Sequence, residues 1–347
     1  MSKTKRNKRQ NRVVASAEKL FGEKVEHLAA PGGQNRSSYR LHLPGRTIVA
    51  TLRPNFHRTH LEAYTLRRLA EYCEDTPHCL GVDGEIMFQE DVGHRRLNRE
   101  IAEVPADKQL DLAAEAVTSI FRIQSAGRVA GLVETLPHLG QNRDWLENLV
   151  YAVDFLERFS AGRSLKVDKE AMCEAIDFPG MQFLKWDCRS GNAAIGEDER
   201  MRWFDFEYSG IRHGAEDLAW LIGDEAWPVA PDQMEAIVVD AHDPSSGHAL
   251  DDYLDYLALY TTFHAVQRLK LIVKEAEKRG WQSKRRIRKY DDAGVHPEFA
   301  AHICRVGAHF AHRNAATVPI GRDFEEAEAE FLDVLRDGLQ NAELETA

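Results

Sequence analysis

The stretches KWDCRSGN (residues 185–192) and WFDFE (residues 203–207) decide the fold of this 347-residue chain. Short apolar segments lie at 181–186 and 201–205, and the polar, turn-forming residues after the first of them predict a loop. The two stretches therefore place carboxylate and amide side chains on loops next to short strands.

Four side chains in these stretches match the needs of phosphoryl transfer from ATP. That reaction requires oxygen ligands for Mg²⁺, a carboxylate that orients the accepting hydroxyl, and cations on the phosphates. Asp187 would be the carboxylate, while Asn192, five residues later, and Asp205, thirteen residues after that, would hold the metal. Arg189 would neutralise the transferring phosphate. Either Asp alone is equally typical of a turn or a helix cap, and only the ordered set favours catalysis.

These motifs resemble those of the aminoglycoside phosphotransferase and choline kinase family, which has a protein-kinase-like fold. The family's catalytic loop, H-G-D-x-x-x-x-N, is followed about a dozen residues later by an Asp in a short strand, and Asp187, Asn192 and Asp205 match these positions. The resemblance also implies that Asp217, in GAEDLA, braces the catalytic loop. This chain departs from the family pattern at Lys185-Trp186, where His-Gly is usual.

The first hundred residues predict a small β-rich lobe with one helix. Within it, PGGQNRSSY (residues 31–39) resembles the family's phosphate loop, and glycine lets backbone N–H groups approach a phosphate. The resemblance implies nucleotide contacts from four residues of this loop: Gly32, Gly33, Asn35 and Ser37. It further implies that Arg53 binds phosphate, that Glu62 pairs with Arg53, and that Glu90 offers backbone groups to adenine.

The resemblance implies an α+β, two-lobed protein-kinase-like fold, with a small β-rich N-terminal lobe and a larger, mainly helical C-terminal lobe. Residues 1–12 carry six Lys or Arg and no acid, which predicts a disordered basic tail. Residues 13–92 would form the nucleotide-binding lobe, and residues 93–347 the helical lobe with the catalytic loop and the acceptor site. Helical spacing of apolar residues supports the second lobe at five places: 107–125, 142–159, 250–279, 297–312 and 324–339.

Charge and composition exclude several classes of protein. The net charge is −11, and −17 without the six tail cations, so the acidic body argues against general nucleic-acid binding. No window approaches the 18 or so apolar residues of a membrane span. Five scattered cysteines without a C-x-x-C pair favour reduced thiols, and hence a cytoplasmic location.

The acceptor is the least determined part of the prediction. The resemblance implies ATP and Mg²⁺ as cofactors and the hydroxyl of a small molecule as acceptor: an amino sugar, an aminoglycoside, a choline-like alcohol or a related metabolite. A cationic acceptor would favour acidic lining residues, with these candidates: Asp224, Glu225, Asp251, Asp252 and Asp255. The basic run at 284–289 is either a solvated helix end or a contact for an anionic substrate or partner.

Two other functions remain open at this point. A catalytically weak or inactive kinase-fold protein would bind nucleotide for regulation without turnover. A tail-tethered adaptor would use residues 3–12 to hold nucleic acid or a membrane surface.

Overall fold

The protein is described here by a computed structural model that covers residues 3–31, 37–160, 162–164, 167–177 and 180–346. Side chains are described for the same residues except 3–6 and 339–346. The chain forms a small sheet-containing lobe followed by a larger helical lobe, and this two-lobed α+β architecture confirms the predicted fold class.

The N-terminal lobe is an antiparallel sheet in the order β1-β2-β3-β5-β4. Its strands are β1 (His27–Ala29), β2 (Ser38–Leu43), β3 (Arg46–Leu52), β4 (Cys79–Asp83) and β5 (Ile86–Glu90). Alternation along β2 buries Tyr39, Leu41 and Leu43, as the period of two predicts. The β2–β3 turn places Gly45 at φ +76°, which glycine adopts without strain.

The prediction of a disordered tail is wrong for residues 3–12, because they belong to helix α1 (Lys3–Phe21). The helix is anchored by Val13 and Ala17, which are buried in the core of the N-terminal sheet. Arg12 Nη1 also donates to Glu85 at 2.8 Å. Lys, Arg and Gln are good helix formers, so the basic stretch continues the anchored helix. The high density of positive charge in residues 3–12 therefore does not indicate disorder.

Helix α2 (Phe56–Leu69) connects the sheet to the site. Asn55 caps it by accepting a hydrogen bond from the Arg58 amide at 3.2 Å. Its inner face buries Leu66 and Leu69 together with the carboxylate of Glu62, which is 1% exposed. The helix therefore presents one acidic side chain to the interior.

The C-terminal lobe is built from helices around one apolar core. They are α3 (Leu97–Glu103), α4 (Ala106–Val129), α5 (Arg143–Val150), α6 (Lys169–Ile176), α7 (Ala215–Ile222), α8 (Pro231–Ala241), α9 (Leu250–Arg279), α10 (Lys284–Tyr290), α11 (Pro297–Ala311) and α12 (Val318–Thr346). The five predicted helical segments are confirmed, with a 3-10 helix (Tyr151–Phe159) completing the second of them. Within the described part of the chain, no helix is both long and apolar enough to span a membrane.

Short strands within this lobe hold the loops that carry the predicted site. They are β6 (Arg95–Arg96), β7 (Gln182–Leu184), β8 (Ala193–Ile195), β9 (Met201–Trp203) and β10 (Gly210–Arg212). Strand β7 pairs with β10, while β8 lies between β6 and β9. The KWDCRSGN stretch leaves β7 and enters β8, and the WFDFE stretch begins at the end of β9, so both loops start from fixed points.

Candidate active site

The loops after β7 and β9 turn sharply on non-glycine residues. Trp186, Asp187 and Asp205 have φ values of +62°, +51° and +69°. Such left-handed conformations cost about 1–3 kcal/mol each and persist only where the surrounding structure imposes them. Strained residues of this kind cluster at functional sites, and here they include the predicted catalytic carboxylate, Asp187, and the carboxylate predicted to hold the metal, Asp205.

Asp187 is held by two neighbours from its own loop. Arg189 Nε donates to its Oδ1 at 2.7 Å, and Asn192 Nδ2 donates to its Oδ2 at 3.0 Å and to its carbonyl at 2.9 Å. Burial by itself raises the pKa of Asp187, but the cations around it, Arg189 first and then Lys185 and Arg268, hold the pKa below its ordinary value. The carboxylate is therefore ionised at neutral pH and accepts hydrogen bonds only.

Asp205 belongs to a second cluster centred on Arg53. The Arg53 guanidinium, 7% exposed, contacts Glu62, Asp205 and, through Nε at 2.8 Å, Glu207. Glu62 Oε1 accepts the Phe206 amide at 2.9 Å, which ties helix α2 to the turn after β9. Burial raises the pKa of Glu62 to about 6, although the adjacent Arg53 acts in the opposite direction. The structure thus pairs Glu62 with Arg53, as the motif resemblance implies.

Asp217 lies behind the catalytic loop and supports it. Its carboxylate accepts the Lys185 amide at 3.0 Å, the Trp186 amide at 2.7 Å and Gln124 Nε2 at 3.2 Å. Burial raises its pKa to about 6, while these hydrogen bonds favour the ionised form. Asp217 is buried and lies outside the cavity wall, so its contacts fit a bracing role.

A cavity of about 370 Å³ lies between the lobes and collects most of the predicted residues. Six of them line it: Arg53, Glu62, Asp187, Arg189, Asn192 and Asp205. The sheet contributes Ser38, Tyr39, Val49 and Thr51 to the wall, and the segment after β5 contributes 91–94. The volume lies in the range of small-molecule pockets. The arrangement can hold a polyanionic ligand against cations while presenting an ionised carboxylate.

Other predicted residues lie elsewhere. The Glu90 amide already donates to the His78 carbonyl at 2.9 Å, and Glu90 is not part of the cavity wall, because β5 pairs along this edge. The Ser37 carbonyl accepts the Leu52 amide at 2.9 Å, and the neighbouring Ser38 lines the cavity instead. The remaining phosphate-loop residues lie outside the described part of the chain: Gly32, Gly33 and Asn35.

None of the five acidic candidates for an acceptor lining reaches this cavity. Asp224 accepts the Ser190 amide at 2.8 Å and so supports the reverse side of the catalytic loop. Glu225 forms a bidentate pair with Arg268 of α9 at 2.7–3.0 Å. Asp252 and Asp255 line a separate cavity of about 380 Å³ in the helical lobe. The fifth candidate, Asp251, is exposed in the first turn of α9.

The sequence left the basic run at 284–289 open between a solvated helix end and a contact for an anionic substrate or partner, and the structure places the end of this run at the cavity. This run forms most of α10, and Lys289, Tyr290 and Asp291 line the cavity. Asp291 adopts φ +48° and its Oδ1 lies 3.6 Å from Arg189 Nη1. Its carboxylate packs directly on Gly191, where a β-carbon would overlap it. Only the charge of the run was visible beforehand, because about one hundred residues separate it from the catalytic loop.

One further feature of the cavity wall and one beside the catalytic loop were also missed. Arg40 on β2 pairs with Asp91 at 2.6 Å and donates to the Gly93 carbonyl at 2.8 Å, which fixes the segment between the lobes. Half-buried tryptophan rings adjoin the catalytic loop, with Trp186 lying 6.0 Å from Trp145 and 6.1 Å from Trp220 between ring centroids. No pattern in the sequence brings these three rings together.

Comparison with solved structures identifies the architecture. A choline/ethanolamine kinase family protein from Mesorhizobium loti is 18% identical, with 87% of this chain and 99% of that chain covered and a TM-score of 0.52. A putative aminoglycoside phosphotransferase from Ralstonia eutropha is 14% identical, with 92% and 98% covered and a TM-score of 0.52. The chain has a kinase-like fold. The GDP and kanamycin complex of APH(2")-IIia, 12% identical with 80% and 97% covered, gives a TM-score of 0.53.

At these low sequence identities, the similarity to the solved structures shows the kinase-like fold alone. No protein-family model matches the chain, and no curated protein matches it in sequence. The resemblance to choline kinases and aminoglycoside phosphotransferases that the motifs indicate is thus confirmed for the fold. The activity has to be argued from the site itself.

Proposed function

We propose that the protein is an ATP-dependent phosphotransferase that moves the γ-phosphate of ATP to a hydroxyl of a small molecule. The observation that carries this proposal is the meeting of Asp187, Asn192, Asp205 and the Arg53–Glu62 pair in one cavity between the lobes. The structures with similar architecture include a complex with GDP and kanamycin, a nucleotide and a small hydroxylated molecule. Residues 13–92 would be the nucleotide-binding lobe.

The oxygen donors at the cavity fit Mg²⁺. This ion binds through one or two carboxylates, phosphate oxygens and water, without needing a cage made only of protein ligands. Asp205 would supply a carboxylate and Asn192 an amide oxygen. Among the described residues there is no cluster of three or more His, Cys, Asp or Glu arranged to hold a metal. Sharing the ion with a nucleotide suits this donor set, and bound Mg²⁺ would neutralise phosphate charge.

The reaction would proceed by in-line displacement. Asp187, ionised and oriented by Arg189 and Asn192, would accept a hydrogen bond from the acceptor hydroxyl and take its proton. The acceptor oxygen would form a bond to the γ-phosphorus as the bond to the β–γ bridging oxygen breaks, releasing ADP. Arg189 would lie beside the transferring phosphate.

The N-terminal lobe would position the nucleotide. Arg53, oriented by Glu62, would contact phosphate oxygens, and its fork of donors suits bidentate binding. The loop at 32–37, with Gly32, Gly33, Asn35 and Ser37, would add backbone donors. Adenine would contact the segment that joins the lobes, at Gln89 and at residues 91–94.

The experiment is Mg²⁺-dependent ATP consumption over a panel of amino sugars, aminoglycosides, choline-like alcohols and other hydroxylated metabolites. We expect at least one acceptor to give turnover that disappears in Asp187→Asn. The surface variant Asp198→Asn is the matched control, because Asp198 bonds to Arg200 and Arg202 of its own β8–β9 hairpin and lies outside the cavity wall. ATP-dependent thermal stabilisation without turnover on any acceptor would favour the alternative, a nucleotide-binding regulatory protein.

A further inference from the structure

Lys185 stands where the resembled family usually has His, and it is 1% exposed. Its Nζ lies 3.3 Å from the carbonyl oxygen of Trp186, 3.2 Å from that of Asp187 and 3.3 Å from that of Asp205. An ammonium group has three donors and no acceptor, so these three carbonyls match its hydrogen-bonding capacity. The side chain therefore joins the catalytic loop to the turn after β9.

The three acceptors share a second property. Five non-glycine residues in the described part of the chain have positive φ, and Trp186, Asp187 and Asp205 are three of them. Lys185 thus donates to the carbonyl of each strained residue in the two loops. Backbone conformations of this kind need surrounding contacts to persist, and the ammonium supplies one to each of them.

The surroundings of Lys185 support a buried charge. The carboxylates of Asp187 and Asp217 are near enough for the ammonium to act on them, and it lowers the pKa of each. The ammonium also lies 5.3 Å from the ring centroid of Phe206 and 6.0 Å from that of Trp203, both within cation–π range. Asp217 accepts the backbone amide of the same residue. The site is organised to hold a cation at this point.

We propose that Lys185 is a positioning residue that sets the geometry between Asp187 and Asp205. The proposal rests on the phosphotransferase function, because these two carboxylates are the base and the metal ligand of that reaction. One ammonium bonded to both backbones fixes the base relative to the metal. A His ring carries two N–H donors at most and cannot bond to all three carbonyls at once.

The test compares Lys185→Met, Lys185→Arg and Lys185→His with the wild-type protein, with Lys278→Met, at an exposed lysine, as the control. In Lys185→Met we expect kcat to fall about 100-fold with little change in the acceptor KM, because misplaced catalytic groups lose rate more than binding. The Mg²⁺ concentration for half-maximal activity should rise about tenfold, since contacts that orient metal ligands affect metal affinity on this scale. Unchanged kcat in a folded Lys185→Met protein would overturn the proposal.

The His variant separates positioning from packing. A His side chain keeps donors at this point but fewer than three, so the kcat of Lys185→His should lie between those of Lys185→Met and the wild-type protein. A folded Lys185→His protein that is no more active than Lys185→Met would contradict the role of these hydrogen bonds. If Lys185→Met does not fold, Lys185→Arg, which keeps the charge but misfits the three carbonyls, takes its place with the same expected loss of kcat.

A second readout distinguishes this proposal from the proposed function. If the wild-type protein turns over no acceptor, ATP affinity measured with and without Mg²⁺ still reports on the position of Asp205. Lys185→Met should then weaken binding about tenfold with Mg²⁺ and leave metal-free binding unchanged. Equal affinities in the two proteins would overturn the positioning role, and a wild-type protein that binds no ATP would overturn both proposals.

Discussion

The two carboxylates at the cavity are held in different ways. Asp187 is oriented by Arg189 and Asn192, which lie two and five residues along the same loop. Asp205 contacts Arg53, 152 residues away, and Arg53 is in turn held by the buried Glu62 on α2. The base is thus positioned locally within one lobe, while the metal ligand is positioned by a contact between the lobes. Substitutions in the two clusters should therefore affect different properties, turnover at Asp187 and metal-dependent ATP binding at Asp205.

The largest effect is expected at the local cluster. Asp187→Asn keeps the shape of the side chain but removes the proton acceptor, so kcat should fall by about 10²–10⁴-fold with ATP affinity retained. The measurement is steady-state ATP consumption together with calorimetric ATP binding. A variant within tenfold of wild-type kcat would contradict the assignment of the base, and Asp198→Asn controls for the loss of a surface charge.

Asp205→Ala should instead act on metal-dependent binding. Loss of the carboxylate should weaken ATP binding in Mg²⁺ by about 10–100-fold. Metal-free binding should not weaken, because the substitution leaves Arg53 free of one anionic partner and still held by Glu62. ATP titrations in Mg²⁺ and in a chelator measure the two affinities. Equal weakening of ATP binding with and without the metal would mean that Asp205 stabilises the structure and is not a metal ligand.

The two clusters should also respond to pH in opposite directions. Burial raises the pKa of Glu62 from 4.5 to about 6, so the folded state binds a proton that the unfolded chain releases between these values. The contribution of Glu62 to the free energy of unfolding should fall by about 2 kcal/mol in total as the pH rises from well below 4.5 to well above 6. Urea unfolding of wild-type protein and Glu62→Gln over this range measures the difference.

For Asp187 the sign is reversed. The Arg189 guanidinium holds its pKa below 3.8, so its contribution to stability is present above that pH and is lost as the pH falls through the folded-state value. The stability difference between wild-type protein and Asp187→Asn should therefore shrink on acidification below 3.8. If the contribution of Glu62 were also lost on acidification, Arg53 and not burial would control the ionisation of Glu62.

The sequence could predict the residues at both clusters because their motifs are short and ordered. It also placed the long helices, since their apolar periodicities are strong. It failed where contacts depend on long-range packing. Helix α1 extends through the basic stretch because the buried Val13 and Ala17 anchor it. The end of α10 reaches the cavity because it packs on α3, where Arg99 donates to the Lys289 carbonyl at 2.8 Å.

The contact between Gly191 and Asp291 offers the smallest and most selective test of this packing. A β-carbon on Gly191 would overlap the Asp291 carboxylate, so Gly191→Ala should destabilise the protein by about 1–3 kcal/mol and lower activity by displacing the end of α10. Asp291→Gly removes the carboxylate that would overlap the new β-carbon, and glycine adopts the φ of +48° at this position without strain. Added to Gly191→Ala, it should restore most of the lost stability.

The double-mutant cycle isolates the contact from general effects of either substitution. Unfolding free energies and kcat of the two single variants and the double variant should give a coupling of about 0.5–3 kcal/mol in the rescuing direction. Additive losses would mean that α10 does not rest on the catalytic loop. A rescuing coupling would instead establish that the position of Asp187 does not depend on its own loop alone. It would also depend on the contact between Gly191 and Asp291, which lie one hundred residues apart in the sequence.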